Sequence, residues 1–260
     1  MRVVRWQMTR QTAILETAQS QGRVLVDELA ERLNVSPHTI RRDINALCEQ
    51  GKLRRLHGGA EFIEGSSNLP YSTRSALNVA AKKQIAGQVA ALIPDGATLF
   101  FSIGTTPALV AAALAEREGL TIVTNNLNAA MALSEAPGAR IILPGGTLRL
   151  PDRDILGAQV LDLFRGYRAD FAIYGVGGID SDGSLLDFHE EEVQIRQTLR
   201  DNARASILVA DVSKFGRRAA AVGGRLEEAD RIVIDQRPAA PFDALLEPVR
   251  DQLIIAGEAA

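Results

Sequence analysis

Residues 35–49 read Val35-Ser36-Pro37-His38-Thr39-Ile40-Arg41-Arg42-Asp43-Ile44-Asn45-Ala46-Leu47-Cys48-Glu49. A serine at an N-cap accepts a backbone N–H that would otherwise be orphaned, and a proline in the first helical position loses nothing by lacking its own. Ser36-Pro37 therefore starts a helix, and Gly51 ends it. Ile40, Ile44, Leu47 and Cys48 recur at helical spacing and face a core, which leaves His38, Arg41, Arg42 and Asn45 on the opposite face.

Upstream, Ala13, Ile14, Thr17 and Ala18 give a first helix over 9–21, stopped by Gly22. Leu29, Ala30 and Leu33 then give a short second helix over 27–33, stopped by Asn34. A short turn therefore joins this second helix to the one opened by Ser36-Pro37. A pair of helices so joined, the later one carrying a row of donors near its start, is the layout that inserts side chains into the major groove of DNA. Arg41 or Arg42 is placed to bond a guanine edge or a phosphate, and the sequence does not choose between them. Residues 52–62 read as an extended basic hairpin anchored by Leu53 and Leu56, a wing whose cations would neutralise phosphates. The expected DNA-contacting residues are Ser36, His38, Thr39, Arg41, Arg42, Asn45, Arg54, Arg55 and His57. A merely solvated basic face is the competing reading of these arginines; cap, turn spacing and wing together weigh against it.

Composition fits this reading. The chain has 260 residues, 46% of them apolar and 23% charged, enough for two cores of unequal size. Residues 1–60 hold ten Lys/Arg against six Asp/Glu, and residues 61–260 hold nineteen against twenty-six, so a basic front of +4 precedes an acidic back of −7. The single cysteine, Cys48, lies within a helical pattern and builds neither a disulfide framework nor a thiolate metal site. No stretch approaches the roughly 20 apolar residues of a membrane helix, and the first residues do not resemble a signal peptide. The expectation is a cytoplasmic protein without membrane partners. The regular pattern begins only at Thr9, so Met8 stands beside Met1 as a candidate first residue.

The expected organisation is a winged helix-turn-helix over 1–63, a linker over 64–73 and a second domain over 74–260. Glu64-Gly65-Ser66-Ser67-Asn68-Leu69-Pro70 has nothing to bury, and Leu77, Ala81, Ile85, Val89, Leu92 and Ile93 mark a long amphipathic helix from 74 to 93. Beyond it, apolar runs at 97–101, 121–123, 140–143, 170–174, 206–210, 231–234 and 252–255 alternate with helical patterns at 108–115, 127–134, 155–164, 190–202 and 242–249. This alternation predicts an α/β domain with a mostly parallel sheet, whose ligands bind at the carboxyl ends of the strands.

The unusual residues fall at those ends. Ser102-Ile103-Gly104-Thr105-Thr106-Pro107 combines a glycine for close backbone approach, two hydroxyls and a helix N-terminus, which suits a phosphate. It is not a Walker loop, so nucleotide hydrolysis is unsupported. Thr124, Asn125, Asn126, Gly145, Gly146 and Asp180 supply amides, hydroxyls and a carboxylate for a polyol, with Arg149 and Lys214 for charge. Each has a plainer alternative: glycines for tight turns, Asn126 as a helix cap, Arg149 paired with a surface carboxylate.

A family resemblance joins the two halves. Glu28-Leu29-Ala30, the run from Val35 through Ile44, and Leu56-His57-Gly58-Gly59-Ala60 resemble the DNA-binding signature of DeoR-family repressors. Gly104-Thr105-Thr106, Thr124-Asn125-Asn126, Gly145-Gly146, Gly178-Ile179-Asp180 and Asp211-Val212-Ser213-Lys214-Phe215-Gly216 resemble that family's sensor domain, which is similar in fold to sugar-phosphate isomerases. The resemblance implies a repressor of a carbohydrate or glycerol catabolic operon, released from its operator by a phosphorylated metabolite. Ile122-Val123-Thr124-Asn125-Asn126-Leu127-Asn128 and the run from Gly178 to Leu186 resemble family members that answer to glycerol 3-phosphate. In one respect the chain departs from the pattern: Ser102 stands where the family commonly has Asp, which leaves another sugar phosphate as the alternative effector.

The rival class is an isomerase or deaminase, which needs a general base beside a carbonyl. Asp180, Asp182 and Glu190 to Glu192 are available, yet the second domain's only histidine is His189 and the three glutamates fit the cap and charge of a helix start. No catalytic residue, cofactor or metal is therefore expected. An activator is a third reading, since the sign of regulation depends on where the operator lies. Symmetric or repeated half-sites favour a homo-oligomer, dimer or tetramer.

Overall fold

A computed structural model describes residues 2–49, 53–62 and 71–258. The chain divides into two units, Met1–Leu77 and Asn78–Ala260. The expected linker at 64–70 lies outside the described residues, while residues 71–73 open a helix rather than continuing a linker.

In the first unit, α1 (Arg2–Gln21) is followed by β1 (Arg23–Leu25), α2 (Val26–Arg32), α3 (Pro37–Glu49), β2 (Leu53–Leu56), β3 (Gly59–Phe62) and α4 (Tyr71–Ala76). Ile14 and Ala18 of α1, Leu29 of α2, and Ile40, Ile44 and Leu47 of α3 close one core, each leucine or isoleucine stabilising it by about 1.5–3 kcal/mol. The wing is a three-stranded antiparallel sheet in the order β1-β3-β2, so it holds one strand more than the expected hairpin. Gly59 is required there, because a Cβ would stand 2.1 Å from the Val24 carbonyl oxygen. Leu53 anchors the wing as expected, but Leu56 is 37% exposed, and Ala60 fills the core instead.

The second unit is built on a seven-stranded sheet of order β15-β14-β12-β9-β4-β5-β6, in which every pairing is parallel. Along the chain come α5 (Val79–Leu92), β4 (Thr98–Phe101), α6 (Thr105–Ala113), β5 (Thr121–Thr124), α7 (Leu127–Ala132), β6 (Arg140–Ile142), β7 (Leu148–Arg149), β8 (Asp154–Ile155) and α8 (Ala158–Arg165). After these follow β9 (Ala169–Tyr174), β10 (Gly178–Ile179), β11 (Ser184–Asp187), α9 (Glu190–Asp201), β12 (Ala203–Ala210), β13 (Ala221–Arg225), β14 (Arg231–Ile234) and β15 (Leu253–Ile255). All seven expected strands are present, and short antiparallel pieces are added: a β7-β8 hairpin and a β10-β11-β13 sheet.

Both faces of the sheet are covered. Leu99 and Phe101 of β4 pack with Ile85 and Val89 of α5 and Val110 of α6, while Phe100 between them packs on the other side with Val160 and Phe164 of α8 and Leu199 of α9. The Phe100 and Phe164 rings meet edge-on at 5.0 Å. Two expected helices differ: residues 155–157 precede α8, Ile155 belonging to a strand, and the segment after β14 forms a 3₁₀ turn at Phe242–Leu246. The expected helix from 74 to 93 is also interrupted, because Asn78 adopts a left-handed conformation between α4 and α5.

Candidate functional site

In the first unit, Ser36 caps α3 as its sequence requires, its hydroxyl accepting from the Thr39 amide at 3.3 Å and lying 2.9 Å from the Thr39 hydroxyl. This fixes the start of a helix that exposes His38, Arg41, Arg42 and Asn45 and buries Ile40, Ile44 and Leu47. Asp43, between the outward residues, turns inward to 1% exposure and pairs with Arg10 of α1. Arg54 on β2 pairs with Glu61 on β3, whereas Arg55 and His57 are exposed at the wing. The unit thus presents a helix face with two adjacent exposed guanidiniums and a wing bearing further cations, the arrangement that serves base edges and phosphates.

In the second unit, strand order decides where a ligand fits. From β4 the chain steps outward through β5 to β6, then returns to the other side of β4 to lay down β9, β12, β14 and β15. The β4/β9 boundary is therefore the switch point of a parallel sheet, outside whose carboxyl ends ligands bind. Loop 102–106 follows β4 and loop 175–178 follows β9, and they abut: a Cβ on Gly175 would stand 3.6 Å from the Pro107 ring.

Gly104, at φ 119°, sits at the N-cap of α6 with no side-chain cap of its own. Pro107 has no N–H, and the amides of Thr105 and Thr106 open the helix, where partial positive charge collects. Asn126, 1% exposed, holds this loop in place. Its Nδ2 donates to the carbonyls of Ser102 and Gly104, both at 3.1 Å, and its Oδ1 accepts from the amides of Asn128 and Ala129 at 3.1 and 3.3 Å. Asn126 thus caps α7 and also ties the β5 loop to loop 102–106. Thr124 adds a hydroxyl bond to the Phe101 carbonyl at 2.7 Å. Replacing Asn126 by Ala strips partners from two carbonyls and two amides, and should cost on the order of 3 kcal/mol. A lower chemical-denaturation midpoint would register it.

Asn125 donates to the Ile155 carbonyl at 2.9 Å and so binds the β7-β8 hairpin to the β5 loop. Arg149 on that hairpin reaches Asp154 through two nitrogens at 2.8 and 2.7 Å and Glu192 of α9 at 2.8 Å. Burial pushes the Asp154 carboxyl up despite Arg149, while the bonds from both carboxylates outweigh burial at Arg149 and raise it. Arg149 on β7 is thus held by two buried carboxylates, one from β8 and one from α9, rather than by a surface acid. Glu192 also accepts from the Phe188 amide at 3.3 Å, so the expected capping of the α9 start holds for this glutamate, now with an ion pair added.

Lys214 ends a 3₁₀ turn, Val212–Lys214, after β12. Its charge acts on Asp187, whose carboxyl is pushed up by burial and drawn back by Arg196, the Gly177 amide and Lys214. Asp187 accepts from Gly177 N and Arg196 Nε, each at 2.9 Å, and Gly216 N donates to the Ile179 carbonyl at 2.8 Å, which sets the turn carrying Lys214 beside the segment after β9. The structure thus gathers Ser102, Gly104, Thr105, Thr106, Thr124, Asn125 and Asn126 along one side and Lys214 with loop 175–178 along the other.

Two expectations are placed otherwise. Asp180 opens an exposed turn between β10 and β11, accepting from the Ser181 amide at 2.7 Å, so its carboxylate shapes a hairpin. Gly145 and Gly146 lie exposed against the Gln159 side chain at the start of α8. Sequence reasoning did not single out Asn78, Asp154, Asp187 or Arg196. Their partners lie at distances of 5 to 135 residues along the chain, and no local pattern signals such pairs.

Among the described residues no helix is long and apolar enough to cross a membrane. Comparison with known proteins gives two family matches: the DeoR-like helix-turn-helix domain over residues 10–66 and the DeoR C terminal sensor domain over 77–236. The glycerol-3-phosphate regulon repressor of Escherichia coli K12 is 46% identical over 232 residues, covering 89% of this chain and 92% of that protein. Its counterpart in Haemophilus influenzae is 42% identical, covering 89% and 91%. The HTH-type transcriptional repressor CsqR of Escherichia coli K12 is 37% identical over 96% of both chains. Among solved structures, ribose 5-phosphate isomerase A from Methanocaldococcus jannaschii is 17% identical with a TM-score of 0.40, covering 54% of this chain and 56% of that one, a likeness too slight to carry weight.

Proposed function

The chain belongs to the DeoR family of transcriptional repressors, and from that premise we propose that it represses genes of glycerol 3-phosphate uptake and use and leaves its operator when glycerol 3-phosphate binds. The observation that carries the effector half is the uncapped start of α6 at the sheet's switch point, with the Gly104-Thr105-Thr106 loop locked by Asn126 and Lys214 beside the facing loop. A phosphate monoester there meets backbone amides, hydroxyls and a cation, and the small polyol faces the neighbouring loops. The operator half rests on α3 and the wing, with His38, Arg41, Arg42 and Asn45 toward the major groove and Arg54, Arg55 and His57 toward phosphates. Two copies acting on symmetric half-sites, in the cytoplasm, complete the reading.

The protein is a regulator without turnover. Asp187, a buried carboxylate bonded to the loop after β9, is spent on Arg196 and the Gly177 amide, which leaves it no geometry for taking a proton from a sugar carbon. A second reading keeps the repressor and changes the effector: Ser102, 3% exposed beside the phosphate-type loop, puts a neutral group where the family commonly has a carboxylate. Thermal shift against glycerol 3-phosphate, fructose 1-phosphate and glucosamine 6-phosphate separates the two. Stabilisation by glycerol 3-phosphate alone supports the first, stabilisation by another sugar phosphate the second, and no stabilisation by any overturns the effector site.

A further inference from the structure

The amphipathic pattern of Leu77, Ala81, Ile85 and Val89 calls for one helix through residue 78, yet Asn78 stands at φ 52° and ψ 34° and separates α4 from α5. Asparagine tolerates left-handed backbone better than other non-glycine residues, yet within a run whose pattern is helical that conformation needs its surroundings to hold it. An asparagine at an N-cap ordinarily turns its side chain onto the first amides of its own helix, and Asn78 makes no such bond. Its Nδ2 instead donates to Asp211 Oδ1 at 3.0 Å and to Ser213 Oγ at 3.2 Å. Asp211 is 1% exposed and also accepts from the Ser213 amide at 3.1 Å. The Asn78 side chain therefore fixes the turn that carries Lys214.

The residue before it is fastened elsewhere. Leu77 is the last residue of the first unit, and its side chain occupies the space beside Gly22, the stop of α1: a Cβ on Gly22 would lie 2.3 Å from Leu77 Cδ1. Consecutive residues at the boundary thus engage the end of a helix of the DNA-binding unit and the Lys214 turn of the sensor unit.

We propose that Asn78 is a positioning residue for the Asp211–Lys214 turn and that the Leu77-Asn78 joint is the two-state element through which effector binding alters DNA binding. With Asn78 bonded to Asp211 and Ser213 the helix is broken. When a bound phosphate draws the Ser213 hydroxyl toward itself, the Asn78 amide loses one of its two acceptors, the left-handed residue loses support and residues 71–92 are free to join into the continuous helix their pattern favours. This rests on the effector reading above, since the turn is taken to touch the ligand. Both arrangements use contacts inside one unit at a time, and a bistable element biased by a ligand is what coupling between two sites requires.

The test compares operator affinity with and without saturating glycerol 3-phosphate in the wild type, Asn78→Ala and Asn78→Gly. Saturation removes any change in effector affinity, so the ratio reports coupling alone. In both variants the ratio should move toward one, with the loss of about tenfold or more of the wild-type effect. A residue with only a structural role would lower the melting temperature and leave the ratio unchanged, and a wild-type ratio in both variants overturns the proposal. Hydrogen exchange gives a readout independent of the effector: Asn78→Ala should protect the amides of residues 78–82 and expose that of Ser213, and unchanged exchange in both segments also overturns it. If wild-type DNA binding ignores every sugar phosphate, the effector reading falls, while the joint is still decided by the exchange result.

Discussion

Alanine at both Arg41 and Arg42 should weaken operator binding by at least about 1–3 kcal/mol, the worth of one guanidinium that reads a base edge. The effect is expected with and without effector, because both residues lie in the first unit on the exposed face of α3. Folding should be untouched, since the buried side of α3 is held by Ile40, Ile44 and Leu47 and by the Asp43 pair with Arg10. The single variants assign roles. The arginine that reads a guanine will, when lost, relax sequence preference at one position, and the one on a phosphate will weaken all sequences alike and flatten the salt dependence by about one unit of slope. Fluorescence anisotropy over a range of salt concentrations measures both quantities. Wild-type affinity in the double variant would remove α3 as the reading helix.

The second large effect is at Lys214. Its replacement by Ala removes the cation of the turn beside the segment after β9 and should, on the proposed reading, weaken effector binding by about 1.5–3 kcal/mol, the range for a hydrogen bond to a charged group. Because the wing and α3 are in the other unit, DNA affinity in the absence of effector should stay near that of the wild type, and the outward sign is a repressor that no longer lets go. The Asp187 carboxyl, already raised by burial, should move up further once Lys214 no longer opposes that shift. Lys214→Arg keeps the charge and should restore part of the response. Calorimetric titration with glycerol 3-phosphate reads the change, and an unaltered affinity in Lys214→Ala would take the residue out of the site.

Legibility in the sequence followed the range of the interactions. The helix α3 was plain, because cap, proline and apolar spacing all lie within residues 36–48. The seven parallel strands were equally plain, because strands buried on both faces show as unbroken apolar runs such as Ile207 to Ala210. The β7-β8 hairpin and the β10 strand escaped, since strands of two residues carry no period. The break at Asn78 escaped too, because nothing near it punctuates the helix; the cause is a bond to residues 211 and 213. Asn126 was read as either a ligand or a cap, and the structure makes it a cap that also braces the neighbouring loop. Arg149 was set down for phosphate or for a surface acid, and it meets Asp154 and Glu192, at 0% and 7% exposure. Which loops meet depends on strand order, and no local pattern encodes the return of the chain across β4.

On the proposed reading, occupation of the second unit's crevice by a small phosphate ester decides whether the first unit holds DNA. This is tested most directly by selecting binding sites for the full chain from random duplex DNA and titrating the resulting complex with glycerol 3-phosphate, with glycerol and inorganic phosphate as controls. Saturable release by glycerol 3-phosphate, with neither control matching it, is the expected result. A complex that forms on selected DNA and is indifferent to glycerol 3-phosphate and to the other sugar phosphates would contradict it.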